Sequence, residues 1–187
     1  MTVKEFFKSK TFRCIVVLLC IALVSGGLLS ICNDLLSVSD GERVARIIKG
    51  IYGKEMEYVV VNVSAEYAPE NDAHPGFVND VYLLSDGNYL IKSTGYEGYK
   101  AGTVSIWCVA KYESGAFVGL ENVSIADNDK QTLMSKFTSS VLAKYKGTKE
   151  YGDADKVSGA TFSSRALHNA YNVALHYVED VLEGGAQ

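Results

Sequence analysis

The sequence predicts an α+β protein: a single N-terminal transmembrane helix followed by one extracytoplasmic domain with an antiparallel sheet and flanking helices. Three observations predict it. An uncharged apolar run, Cys14 to Cys32, follows a basic start. Strand-like stretches rich in β-branched and aromatic residues, two of them ending in tight Gly-containing turns, lie between residues 57 and 126. A helical repeat then closes the chain, with Leu167, Ala170, Tyr171, Ala174, Leu175, Val178 and Leu182 on one face.

Residues 1–13 carry Lys4, Lys8, Lys10 and Arg13 against Glu5. The nineteen residues of the apolar run reach about 28 Å as a helix, close to the thickness of a bilayer core. The basic flank puts residues 1–13 in the cytoplasm and the rest outside. A cleaved signal peptide is the competing reading, with Cys14 to Val24 as its apolar stretch and Ser25-Gly26-Gly27 near the cut. A lipoprotein signal ending at Cys32 fits less well, because Ile31 stands where a small residue belongs. All of these export the domain. Beyond residue 32 the chain has 14 basic and 21 acidic residues, a net charge of −7. An acidic domain of this kind is not a nucleic-acid binder.

Residues 33–56 form a membrane-proximal helical segment. Within it Val44, Ile47, Ile48 and Ile51 make one apolar face of a helix over 41–52, with Asp40 as its cap. The domain proper spans 57–187. Its first strand is EYVVVNV at 57–63, and residues 66–76, which hold both prolines, form a surface loop. VNDVYLL at 78–84 alternates and is followed by the turn Asp86-Gly87. Strands from 88, over 103–112 and over 117–126 complete an antiparallel meander, with a turn at Ser114-Gly115. Leu133, Met134, Phe137, Val141 and Tyr145 predict a helix within 127–146.

The four cysteines, Cys14, Cys20, Cys32 and Cys108, have no metal-ligand spacing and read as small hydrophobes. His74, His168 and His176 are scattered and receive no chemistry. No residue reads as a general acid, general base or nucleophile acting on a small substrate, and no metal site is expected.

The stretch DKVSGATFSS, residues 155–164, is the chain's most informative segment. Gly159 and Ala160 leave the backbone around the Thr161 hydroxyl uncrowded, and Ser163 or Ser164 can cap the helix that follows. Free N–H groups and the positive dipole end at a helix start favour a phosphate by about 0.3–1 kcal/mol at an exposed site. An ordinary loop and cap explains the same residues.

Asp155-x-x-Ser158-Gly159-Ala160-Thr161 resembles the flavinylation motif of the FMN-binding domain family. That family includes the G-type component of the Rnf electron-transport complex and the C-type component of the sodium-translocating NADH:quinone oxidoreductase. The resemblance implies FMN held covalently, through a phosphodiester to Thr161. It implies a flavin transferase that uses FAD, with Ser158, Gly159 and Ala160 around the acceptor and Asp155 as a recognition handle. A hydroxyl needs a base, metal or positioning group before it becomes a useful nucleophile, which is the role of such a transferase.

The family often carries a glycine-rich stretch where this chain has GYEGYKAG, residues 95–102. Tyr99 and Trp107 are candidates to stack on a flavin ring, with loop and sheet packing as the alternative. The family commonly reads Glu-Thr-Pro-Gly-Leu-Gly where this chain has Gln131-Thr132-Leu133, without the Pro-Gly. Thr132 is the ring contact carried over, and a helix-cap role for Asp129 or Thr132 competes with it. Lys144, Lys146 and Lys149 read as solvated surface.

The resemblance implies a single-pass inner-membrane electron carrier, with membrane lipid and the other membrane subunits of an Rnf-type complex as partners. Such a complex couples electron flow between ferredoxin and NAD to ion translocation. The C-type component of the quinone reductase is an alternative, disfavoured by the short chain. The others are a free-standing anchored flavin domain and a non-redox anchored module.

Overall fold

A computed structural model describes residues 10–36, 40–61 and 75–184. The chain divides into two compact units, residues 1–53 and 54–187.

The first unit holds helix α1, Lys10–Leu36, and helix α2, Asp40–Tyr52. In α1 the side chains are described from residue 14 to residue 28, all of them exposed. Consecutive apolar residues from Ile15 to Leu19 cover every side of that helix and all face outward. Among the described residues no helix is long and apolar enough to cross a membrane. The transmembrane span expected over 14–32 is thus not found among the described residues, and the side chains of its last four residues, 29–32, lie outside them. The helix expected over 41–52 is present as α2, and Val44 and Ile48 of its apolar face are buried.

The second unit is a five-stranded sheet in the order β1-β2-β3-β4-β5, with every neighbouring pair antiparallel. The strands are β1 Tyr58–Val61, β2 Gly76–Leu84, β3 Tyr89–Gly95, β4 Val104–Glu113 and β5 Ala116–Asn128. The expected loop at 66–76 falls mostly outside the described residues. Asp86-Gly87 and Ser114-Gly115 both turn as predicted. Gly87 and Gly115 take φ values of +84° and +82°, which glycine adopts without strain. Ser114 is also left-handed, at +54°, so both central residues of that turn have the geometry that twisted hairpins require.

Period-two alternation sends Ile106, Cys108 and Ala110 of β4 to one sheet face and Trp107 and Val109 to the other. The first face packs against helix α4, Thr161–Tyr177, which continues into a π turn, Val178–Glu183. Leu167, Ala170, Tyr171, Ala174 and Leu175, the stripe predicted from sequence, are all buried there. Gly95 lets α4 approach closely, since a Cβ at that position would strike the Ala166 carbonyl and the Ala170 N–H. The Ser93 hydroxyl donates to the Ala170 carbonyl at 2.7 Å and fixes the same contact.

The helix expected within 127–146 is not formed. A 3₁₀ turn, Met134–Lys136, and a four-residue helix α3, Ser139–Leu142, take its place. Phe137, Leu142 and Tyr145 do enter the core, whereas Leu133 stays 40% exposed. The run Thr138-Ser139-Ser140 accounts for the break: short hydroxyl side chains compete for backbone hydrogen bonds and favour caps over helix interiors. Thr138 is indeed the N-cap residue of α3, with its hydroxyl 2.9 Å from that of Ser140.

Candidate functional site

Helix α4 begins at Thr161, with Ala160 as its N-cap residue and no side-chain cap. The first intrahelical bond runs from the Ser164 N–H to the Ala160 carbonyl, at 2.8 Å. The N–H groups of Thr161, Phe162 and Ser163 precede it and have no acceptor within the helix. Thr161 itself is exposed. Thr161 thus stands at a helix start whose first N–H groups have no intrahelical acceptor, with the helix dipole adding positive potential.

Neither serine expected to cap the helix does so; both lie in its first turn and are buried. Ser164 Oγ accepts from the Val157 N–H at 2.9 Å, which ties the preceding loop back onto the helix. Ser163 Oγ donates to Gln131 Oε1 at 2.9 Å. Ala160 is buried, and Ser158 and Gly159 are exposed. Gly159 has φ +72°, where a Cβ costs about 1–2 kcal/mol. That Cβ would also meet Lys136 Nζ, which donates to the Ser158 carbonyl at 2.8 Å. An exposed ammonium therefore sits on the carbonyl three residues before Thr161.

Gln131 organises the other side. Its Oε1 accepts from the Tyr99 N–H at 3.1 Å as well as from Ser163. Its Nε2 donates to the Asp129 carbonyl at 2.8 Å and, more weakly, to the Tyr99 carbonyl at 3.4 Å. One buried carboxamide thereby joins the loop after β3, the loop after β5 and the first turn of α4, with both donors and both acceptor sites used. Gly98 and Gly102 make room for it: a Cβ on either would collide with Gln131 Nε2. Their φ values, −72° and −83°, are ordinary. The left-handed backbone in this loop falls instead on Glu97, Lys100 and Ala101. The glycines of GYEGYKAG are thus required for closeness, and the strain sits on their neighbours.

The structure brings Thr132, Tyr99 and Thr161 to one region through Gln131. Thr132 is exposed next to Gln131, and no cap bond is formed by it or by Asp129. Trp107 is not part of this region. It is 5% exposed on the sheet face opposite α4, beside Tyr82 and under Lys92, so sheet packing explains it. Asp155 is held in a 3₁₀ turn. Its carboxylate accepts from Lys149 Nζ at 2.6 Å and from the Gly152 N–H at 3.2 Å, and these bonds hold its pKa below the usual carboxylate range. Lys149 is therefore ion-paired, while Lys144 and Lys146 are exposed. Burial pushes the Cys108 thiol up to about 12, as suits an unreactive core residue. Among the described residues no group of three or more His, Cys, Asp or Glu could hold a metal ion.

Sequence reasoning missed Gln131 as a hub, and it missed Lys136 and Phe162. Phe162 left a signal. It lies five residues before Leu167, about 140° around the helix from the core stripe at 100° per residue, so its ring cannot join the core. It is 53% exposed.

Residues 91–176 match the FMN-binding domain family. The match runs from β3 through α4 and includes Tyr99, Gln131, Lys136 and Thr161. It implies FMN as the cofactor and suggests flavin-based electron transfer. No curated protein matches the chain. No solved structure matches it either.

Proposed function

We propose that this protein is a membrane-anchored electron carrier whose FMN is joined to Thr161 by a phosphodiester. The observation that carries the reading is an exposed threonine hydroxyl at the uncapped start of α4, inside the segment that matches the FMN-binding domain family. The residues fit such a group. The free N–H donors and Lys136 suit a phosphodiester anion, and the left-handed Gly159 keeps the approach open.

In the attachment step the Thr161 hydroxyl displaces AMP from FAD. A bond forms between Oγ1 and the flavin-side phosphorus, the pyrophosphate P–O bond breaks, and the hydroxyl proton passes to a base of the transferase. When bound, FMN would supply the electron-transfer chemistry, and the chain supplies position and electrostatics.

The finer reading places the protein in the cell membrane as the G-type component of an Rnf-type complex. The basic flank of residues 1–13, the outward apolar side chains of α1 and the acidic outer domain support it. The C-type component of a sodium-translocating quinone reductase and a free-standing flavin domain share the same chemistry. Flavin fluorescence of the denatured full-length protein in a gel tests the attachment. The band persists in Thr161→Ser and vanishes in Thr161→Ala, and a band that survives Thr161→Ala contradicts the reading. Copurification with other redox membrane subunits tests the complex.

A further inference from the structure

We infer that Tyr99 and Phe162 together form the apolar contact surface for the flavin ring. The inference rests on the reading that Thr161 carries FMN. Phe162 is the next residue after the attachment point, so a tethered ring remains within its reach. The Tyr99 and Phe162 ring centroids are 6.4 Å apart at an interplanar angle of 59°. Both rings are open to solvent, at 38% and 53% exposure. They come from two elements far apart in sequence that a buried carboxamide brings together. Gln131 grips the Tyr99 peptide at both its N–H and its carbonyl, and it holds Ser163, the neighbour of Phe162. The backbone on either side of Tyr99 is left-handed, at Glu97, Lys100 and Ala101.

The surroundings match the ring's substituents. Lys100 Nζ lies 5.4 Å from the Tyr99 centroid, and the Arg165 guanidinium lies 6.0 Å from that of Phe162. Arg165 also pairs with Glu97 at 4.0 Å, so Lys100 beside Tyr99 and Lys136 on the Ser158 carbonyl are the cations suited to a phosphodiester and to the negative charge that a flavin gains on reduction. Exposed Leu133, two residues after Gln131, adds apolar surface on the same loop. A π-stacked ring covers such aromatic surface at little entropic cost, because the tether has already localised it.

The test uses the full-length flavinylated protein, and reads fluorescence intensity and anisotropy of the attached flavin before and after denaturation. Aromatic contact quenches and immobilises the ring in the native wild type. Phe162→Ala and Tyr99→Ala each lower the ratio of stacked to open ring about five-fold, bringing native fluorescence towards the denatured value. Phe162→Trp restores quenching. Both substituted side chains are exposed, and far-UV circular dichroism confirms the fold. Unchanged intensity and anisotropy in the Tyr99→Ala/Phe162→Ala double variant, with the flavin mass intact, overturn the inference. Absence of flavin mass from the wild type overturns the attachment at Thr161 instead.

Discussion

The loop that carries Thr161 has two flanks, and they are finished differently. On the flank leading into it, Tyr145, Tyr151, His168 and Tyr171 form a closed aromatic set. Tyr145 Oη lies 2.9 Å from His168 Nε2, and the Tyr171 hydroxyl donates to the Gly147 carbonyl at 2.8 Å. Tyr151 exchanges two bonds with Asn172 and donates its hydroxyl to the Lys144 carbonyl at 2.7 Å. Burial raises the Tyr145 and Tyr171 phenols well above their ordinary pKa, so both stay protonated. On the other flank Gln131 satisfies its polar bonds just as fully, yet Tyr99, Leu133 and Phe162 remain exposed. Both flanks are tied down by hydrogen bonds. Only one presents large exposed apolar side chains to solvent, and it is the one joined through Gln131 to the first turn of α4.

The comparison can be broken most forcefully at Gln131. Gln131→Leu leaves the Tyr99 N–H, the Asp129 carbonyl and the Ser163 hydroxyl without their partner. A loss of about 1–3 kcal/mol is expected in urea unfolding, with attached-flavin anisotropy falling as the open flank loosens. A neutral substitution would remove Gln131 from its place in the account. Next is Gly159→Ala, at about 1–2 kcal/mol from its left-handed backbone, with less flavin attached because the loop must shift. On the closed flank, Tyr145→Phe deletes the bond to His168 and costs about 1 kcal/mol. Covalent flavin should be unaffected, which separates structural rings from ligand-facing ones.

The smallest effect is expected at Asp155. The Lys149 hydrogen bond and the Gly152 N–H depress its folded pKa, so its stabilisation exists above the unfolded carboxyl pKa. It is lost as pH falls through the folded value. Asp155→Asn should therefore be less stable than wild type at neutral pH, and the gap should close on acidification. A gap independent of pH would mean that the ion pair is not its origin.

The meander, its tight turns and α4 were legible because their signals are periodic and local: alternation in β4, spacing from Leu167 onward, and Gly at Asp86-Gly87. The segment 127–146 was not, since Leu133, Met134 and Phe137 imitate a helix whose backbone Thr138-Ser139-Ser140 interrupts. Thr161 was legible as a motif, and its exposure agrees with the use the resemblance implies. The role of Gln131 was invisible, because its partners lie 32 residues away on either side and nothing local marks them. The glycines of GYEGYKAG were visible but for another reason than turn geometry. Ser163 and Ser164 looked like caps and instead fasten the helix start to neighbouring loops.

The most direct test of the central claim is the intact mass of the full-length protein matured with its flavin transferase, followed by peptide mapping. The account predicts a gain of one FMN less one water, confined to the peptide containing Thr161 and absent from Thr161→Ala. An unmodified Thr161 in protein that has met an active transferase and FAD, or the same mass on another residue, would contradict it.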